Sequence, residues 1–221
     1  MNILVITSLF PPLGSSGHDE RCRQVVFELS KRGHKVQVLT SNFRARPMGI
    51  SGEDAIYRKL ILEDELMDAT TASFKQILNR EQANTGILYR RLRRFKPDAV
   101  YIWNMKGLSA SLPIICQLLN IPIVYDLHNK WLDPISLRMD PWIHWWTKRS
   151  GLKAVFQKFI SVITGRRRSY MKWMPLARTE RYDLKQSYLC SESLKQELLE
   201  SGVSAVANLP ILYPALNTEN H

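Results

Sequence analysis

Short apolar segments alternate with amphipathic ones over the first two thirds of the 221-residue chain. Uninterrupted runs of Val, Ile and Leu predict strands buried on both faces, as in a parallel sheet. Apolar residues three and four positions apart predict helices between them. The predicted strands cover residues 2–9, 35–40, 57–62, 99–103, 121–127 and 187–191. The predicted helices cover residues 19–31, 71–96, 109–119 and 193–201.

The first forty residues read as strand, loop, helix and strand, which is a βαβ unit with an expected right-handed crossover. The repeated alternation predicts an open, doubly wound α/β domain with a mostly parallel, Rossmann-like sheet. We expect this domain to cover residues 1–208. Residues 209–221 turn from apolar to Pro-rich to polar, which predicts a linker or tail.

Charge and cysteine content narrow the functional classes. Lys and Arg number 31 against 20 Asp and Glu, so the net charge of +11 favours anionic partners. Cys22, Cys116 and Cys190 are far apart and form no CxxC pair, which argues against a disulfide framework or a structural zinc site and fits reduced cytoplasmic thiols. The apolar start lacks a basic n-region, and no run reaches the ~18 residues of a spanning helix.

The loop after the first predicted strand is a candidate phosphate site. Such a loop brings backbone N–H groups and a helix N-terminus close to a phosphate. A tight turn without a ligand is the alternative, and the absence of GxGxxG disfavours a nicotinamide site. The candidate residues are Gly14, Ser15, Ser16 and Gly17.

A second group of polar residues follows the predicted strands 99–103 and 121–127. Ligands of open α/β sheets bind at the carboxyl ends of the strands. His128 in this position predicts a group that hydrogen bonds a hydroxyl or shares a proton, with a purely structural histidine as the alternative. The other candidates for this cleft are Asn104, Lys106, Asp126 and Asn129.

The segment 142–178 is basic and rich in tryptophan. It holds nine Lys or Arg, four of the six Trp and no Asp or Glu. An apolar stripe with cations on the other face is typical of an interfacial membrane helix, although such a stripe also packs against a sheet. The candidate membrane contacts are Trp142, Trp145, Trp146, Lys148, Arg149, Lys153, Lys158, Arg166, Arg167, Arg168, Lys172 and Trp173.

The order of these features resembles family 4 retaining glycosyltransferases of the GT-B fold. The resemblance extends over essentially the whole chain. It rests on the opening strand, Pro11-Pro12, Gly17 and Gly33-His34-Lys35-Val36, on IPIVYDLHN in the middle, and on SESLKQELLESGV near the end.

The resemblance implies a reaction. The family transfers a sugar from a nucleotide-sugar to an acceptor with retention and without a metal. The N-terminal domain mainly binds the acceptor, and the C-terminal domain binds the donor through a glutamate pair that this sequence lacks. We therefore expect the acceptor half of a hexosyltransferase-type enzyme, with the donor-binding domain supplied in cis or in trans and no cofactor.

The resemblance also implies roles for single residues. Ser16, Gly17 and Asp19 match the family's loop near the donor phosphates and the acceptor, and Ser16 replaces the usual first glycine. His128 matches the histidine near the transferred sugar. Asn129 stands where the family usually has Asp, so the role of that carboxylate is lost.

Three interpretations remain open. The first is the acceptor half of a glycosyltransferase at the inner face of the membrane, acting on a saccharide or lipid-linked acceptor. The second is a non-catalytic, membrane-associated binding module of the same fold. The third is a nucleic-acid-binding protein, which is disfavoured because the basic cluster at residues 90–97 lacks interleaved aromatics that stack on bases.

Overall fold

The fold is described from a computed structural model. The structure describes residues 1–13, 16–43, 55–62, 73–147 and 179–214. The predictions for residues 14–15 and 148–178 lie outside these ranges.

Six parallel strands form one sheet in the order β3-β2-β1-β4-β5-β6. This is the doubly wound Rossmann order, in which the chain changes direction between β1 and β4. The predicted α/β class with a parallel sheet is confirmed. The strands are β1 (Asn2–Thr7), β2 (Lys35–Ser41), β3 (Ile56–Leu60), β4 (Ala99–Asn104), β5 (Ile123–Leu127) and β6 (Tyr188–Leu189).

The helices begin and end close to the predicted positions. Ser16 and Ser73 form capping boxes at the starts of the first two helices, and Gly33, with a φ of +82°, lies in the turn after the first. The helices are α1 (Gly17–Lys31), α2 (Phe74–Phe95), α3 (Ser111–Leu118), α4 (Pro134–Met139), α5 (Pro141–Thr147) and α6 (Glu192–Glu200), with 3₁₀ turns at Thr179–Arg181 and Ser204–Val206.

Apolar side chains cover both faces of the sheet. In β1, Leu4 and Ile6 belong to the larger core that includes α2 and α3, whereas Ile3 and Val5 belong to the smaller core that includes α1. This explains why the central strands read as continuous apolar runs rather than as alternating ones. The two cores hold the carboxyl ends of the central strands in a fixed arrangement.

The predicted tail begins beside the sheet. The Leu189 N–H donates to the Pro210 carbonyl, and the Leu212 N–H donates to the Leu189 carbonyl. Ile211 forms a parallel bridge with Leu189 in β6. Residues 209–212 therefore extend the parallel pattern past β6 before the last described residues, 213–214.

Candidate functional site

Two histidines meet at the switch point of the sheet. His128 directly follows β5, and His18 lies in the first turn of α1. Their rings stack with centroids 3.1 Å apart and an interplanar angle of 18°. The fold therefore brings the predicted His128 together with a histidine that the sequence pattern did not indicate.

His18 is fixed by Trp103, the penultimate residue of β4. The two rings stack at 4.9 Å, and the Trp103 Nε1–H donates to the His18 backbone carbonyl at 3.1 Å. The Nε2 atom of His18 is buried without a hydrogen-bond partner. Burial, with smaller contributions from His128 and Arg21, lowers the pKa of His18 to about 3. The ring is therefore neutral near pH 7.

His128 is also neutral near pH 7. Burial is the main cause that lowers its pKa to about 4. Its Nδ1 lies 3.4 Å from the Asp126 carbonyl, and its Nε2 lies 3.2 Å from the amide nitrogen of Asn129. A neutral imidazole held in this way offers a hydrogen bond to a ligand rather than a stored proton.

Asp126 lies beneath the histidine pair. Its side chain is fully buried, and its Oδ2 accepts hydrogen bonds from Arg21 and from the Tyr188 hydroxyl, the latter at 2.8 Å. Burial raises the pKa of Asp126, and the Arg21 guanidinium opposes that shift. Arg21 itself lies 5.0 Å from the centre of the Trp103 ring. Asp126, predicted as a cleft residue, is therefore a buried ion-pair partner.

The described part of the predicted phosphate loop is the start of α1. The Ser16 hydroxyl accepts from the Asp19 N–H at 3.2 Å and donates to Asp19 Oδ2 at 2.6 Å. Asp19 is buried, and its Oδ1 has no hydrogen-bond partner. Gly17 has open space around its Cα. Gly14 and Ser15 lie outside the described residues.

A cleft of about 340 Å³ opens beside this group, at the ends of β4 and β5. Lys106, Asn129 and Trp131 line it, so the fold brings two of the predicted cleft residues together. Asn104 and Asp126, which were also predicted as cleft residues, do not line it. The Asn104 Oδ1 instead accepts a hydrogen bond from the backbone N–H of Lys106 at 3.0 Å. The Trp131 Nε1–H is buried without a partner. The cleft therefore combines an aromatic wall, an amide and an exposed cation.

Two carboxyl groups lie at and behind the wall of this cleft, the half-buried Asp140 and the buried Glu81. Asp140 accepts the backbone N–H groups of Ala110, Trp142 and Ile143 at 2.8–3.0 Å. Glu81 in α2 accepts the Ser111 hydroxyl. Burial, together with the charge of Asp140, raises the pKa of Glu81 to about 7.

The predicted membrane contacts divide into three groups. Trp142 is 3% exposed, so the prediction that it contacts a membrane is wrong: it is packed inside the domain at the start of α5. Trp145 and Trp146 continue α5, and their side chains lie outside the described part of the structure. The remaining predicted contacts, from Lys148 to Trp173, also lie outside the described residues. Among the described residues, no helix is long and apolar enough to cross a membrane.

Sequence reasoning missed His18, Arg21, Trp103, Trp131 and Tyr188. His18 and Arg21 both lie in α1, but the other three residues come from three other parts of the chain. No local spacing in the sequence therefore indicates that all five lie close together. His18 and Arg21 are three positions apart in the first turns of a helix at the switch point, which is a signal that both face the neighbouring strand ends.

The strand order and the polar groups at the switch point define a Rossmann-like domain with a ligand crevice. A model of the family described as Glycosyltransferase Family 4 matches residues 16–220. The chain therefore belongs to this glycosyltransferase family.

Among solved structures, the chain is similar to the crystal structure of MurG from Acinetobacter baumannii, with 21% identity and a TM-score of 0.37. The alignment covers 57% of this chain and 34% of that chain, so it spans about a third of the MurG length. No curated protein matches the chain.

Proposed function

We propose that this chain is the acceptor-binding domain of a retaining glycosyltransferase. It receives a saccharide or lipid-linked acceptor and positions it for transfer of a hexose from a nucleotide-sugar. The observation that carries the proposal is a family match that extends over the described strands and helices from α1 onward and coincides with a polar crevice at their switch point. A C-terminal domain, in cis or in trans, supplies the donor-binding residues.

His128 orients the transferred sugar in this proposal. Its neutral ring and the Asn129 amide are held 3.2 Å apart, which supports hydrogen bonding to hydroxyl groups. The backbone N–H groups in the first turn of α1, from Gly17 onward, stabilise the negative charge that develops on a diphosphate leaving group. Catalysis then rests on positioning and on fixed dipoles, and the transfer itself requires no metal.

The 340 Å³ cleft is the acceptor site in this proposal. The Trp131 ring supplies an apolar face beside an unpartnered N–H, which suits a sugar ring with hydroxyl groups at its edge. Lys106 is exposed at the rim and attracts an anionic group. These features support an acceptor that carries both a sugar and a phosphate, as lipid-linked saccharides do.

The rim of the cleft supports docking on the inner face of a membrane. Ile135 and Met139 of α4 lie one turn apart and are 63% and 66% exposed, and Met139 also lines the cleft. Arg138 is the residue before Met139 in α4, and Lys106 lines the same cleft as Met139. Cations beside exposed apolar groups favour binding to anionic lipid. The basic residues between 148 and 172 add attraction for anionic lipid in the proposal.

Variants of the intact assembly, with its donor-binding domain, test the two roles. We expect His128→Asn to lower kcat about a hundredfold, because it removes an oriented hydrogen bond to the reacting sugar. Lys106→Ala is expected to raise KM for a phosphorylated acceptor and to leave kcat nearly unchanged. Lys35→Ala, at the start of β2 and the opposite end of the sheet, is the matched control. Acceptor binding without turnover in any assembly would favour the non-catalytic module instead.

Sedimentation with anionic vesicles tests the membrane contact. We expect the double variant Ile135→Asp, Met139→Asp to lose binding to phosphatidylglycerol vesicles. Phe27→Asp is the control, because Phe27 is 54% exposed on α1, which packs on the other face of the sheet. Lys and Arg to Glu changes within residues 148–172 are expected to act in the same direction. Unchanged sedimentation of all these variants would refute membrane docking.

A further inference from the structure

Three side chains at the switch point have the composition and spacing of a metal site. One ligand atom each from His18, Asp126 and His128 lies within 4.8 Å of the other two. We propose that these residues bind a divalent transition metal ion, zinc above all, and that the bound ion blocks sugar transfer. The second part rests on the proposed function, because it requires His128 to contact the transferred sugar.

Two of the three side chains carry a buried polar atom that lacks a hydrogen-bond partner among the described residues. His18 Nε2 and Asp126 Oδ1 are both buried, and neither makes a hydrogen bond. Buried polar atoms in folded proteins are nearly always satisfied, so each such atom requires an explanation. Both atoms can donate an electron pair to a metal, and they belong to a group whose ligand atoms lie within 4.8 Å of one another. A cation at this point satisfies both at once.

The surroundings orient the ligands in the way that metal sites do. Metal-binding histidines almost always hydrogen bond a carbonyl, carboxylate or water through the other ring nitrogen. His128 Nδ1 faces the Asp126 carbonyl at 3.4 Å, and the Trp103 indole N–H holds the backbone carbonyl of His18 at 3.1 Å. The ring of His128 therefore directs Nε2 away from this carbonyl. The second oxygen of Asp126 is held by Tyr188 and Arg21.

The donor set selects the metal. Two imidazoles and one carboxylate suit zinc, whereas magnesium and calcium prefer oxygen ligands throughout. Zinc bonds of about 2.0 Å at tetrahedral angles bring ligand atoms to about 3.3 Å from one another. The three side chains must therefore draw together and the two rings rotate out of their stack. The long Nδ1 contact of His128 leaves that ring the freedom to turn.

Two features set the strength and the consequence of binding. The Arg21 guanidinium on Asp126 repels a cation, so we expect micromolar rather than nanomolar affinity. Three protein ligands leave the fourth zinc position open to water or to an anionic oxygen. A zinc ion that occupies His128 Nε2 withdraws this atom from the Asn129 amide and from a bound sugar. Transfer is expected to stop while the ion is bound.

Cobalt titration of the chelator-treated protein tests the site directly. We expect the visible absorption of tetrahedral Co²⁺ to appear in the wild-type protein and to disappear when Zn²⁺ is added. His18→Gln and His128→Gln are expected to weaken binding at least tenfold, because even the loss of an outer hydrogen-bond partner weakens metal sites by about 10- to 100-fold. His34→Gln, in the turn before β2, is the matched control and should bind as the wild type does.

The outcomes separate this proposal from the proposed function. Circular dichroism verifies that each variant is folded, and the asparagine variant of the same histidine replaces any glutamine variant that is not. No tetrahedral cobalt band, or equal affinity in the histidine variants and the control, would overturn the site. Metal binding is measured without a transfer assay, so a protein with no transfer activity leaves this result intact. Transfer that continues at saturating zinc would overturn the inhibitory role alone.

Discussion

The histidine pair makes the stability of the domain depend on pH in a defined direction. In the unfolded chain both histidines titrate near 6.5, whereas burial lowers the pKa of His18 to about 3 and that of His128 to about 4. Between pH 6.5 and 4 the unfolded chain therefore binds protons that the folded domain does not. Their contribution to the free energy of unfolding is full above pH 6.5 and is lost as the pH falls.

The size of the loss follows from the same pKa values. A pH of 5 lies about 1.5 units below the ordinary histidine pKa of 6.5, so both histidines are protonated in the unfolded chain. The folded pKa values of about 3 and about 4 lie below pH 5, so both stay mostly neutral in the folded domain. At about 1.36 kcal/mol per unit, each histidine costs about 2 kcal/mol and the pair about 4 kcal/mol. With an m-value of about 2 kcal/mol per molar urea, the pair alone moves the unfolding midpoint by about 2 M.

Urea unfolding at pH 8 and pH 5, in buffers with a chelator, measures this effect. The wild-type protein is compared with the double variant His18→Asn, His128→Asn, because contributions of other titrating groups cancel in the difference between the two proteins. We expect the double variant to lose about 4 kcal/mol less than the wild type between these pH values. His34→Asn should behave as the wild type. Parallel pH dependence in all three proteins would refute the burial of neutral histidines.

Three further predictions concern the groups around the site. Arg21→Met leaves the Asp126 carboxylate buried without its cation, so we expect the free energy of unfolding at pH 7, measured by urea titration, to fall by about 3–5 kcal/mol. The control Arg23→Met removes an exposed ion pair and should change this free energy by less than about 0.5 kcal/mol. Glu81, whose folded pKa is about 7, takes up a proton at a higher pH in the folded state than in the unfolded chain, so the free energy of unfolding rises by about 2.5 kcal/mol as the pH falls from 8 to 5. Glu81→Gln should abolish that gain, and an unchanged pH profile of the variant would contradict it. Lys106→Glu should raise KM for a phosphorylated acceptor about tenfold or more but leave KM for an uncharged acceptor alone, and an equal effect on both would exclude a charge role.

Most of the fold could be predicted from local sequence. The continuous apolar runs of β1, β2 and β5 and the turn at Gly33 indicated the βαβ order, because parallel strands with helices on both faces require these patterns. Residues 209–212 belong to the segment 209–221 that was predicted as a linker or tail. Its composition does not show that backbone hydrogen bonds to Leu189 hold residues 209–212 beside β6.

The site could be predicted only in part. The positions of His128 and Asn129 followed from the rule that ligands bind at strand ends. The contact between His18 and His128, and the ion pair between Arg21 and Asp126, join residues more than a hundred positions apart. No periodicity encodes such contacts, because they depend on how α1 packs beside β5.

The burial of Trp142 shows a different failure. Basic and aromatic composition over residues 142–178 predicted one continuous membrane surface, but the first residues of that segment form α5 and pack against the domain. The apolar side chains exposed near the cleft are instead Ile135 and Met139. Composition alone does not say which side of a short helix faces the core.

The most direct measurement is sugar transfer by the native assembly. The protein is purified from its source cells with whatever remains bound, its intact mass is determined, and transfer from a panel of nucleotide-sugars to extracted lipid-linked saccharides is followed. We predict an assembly that includes a donor-binding domain and transfers sugar, with the rate lost in His128→Asn. A folded 25.6 kDa chain without companion that binds vesicles but transfers no sugar would contradict the account.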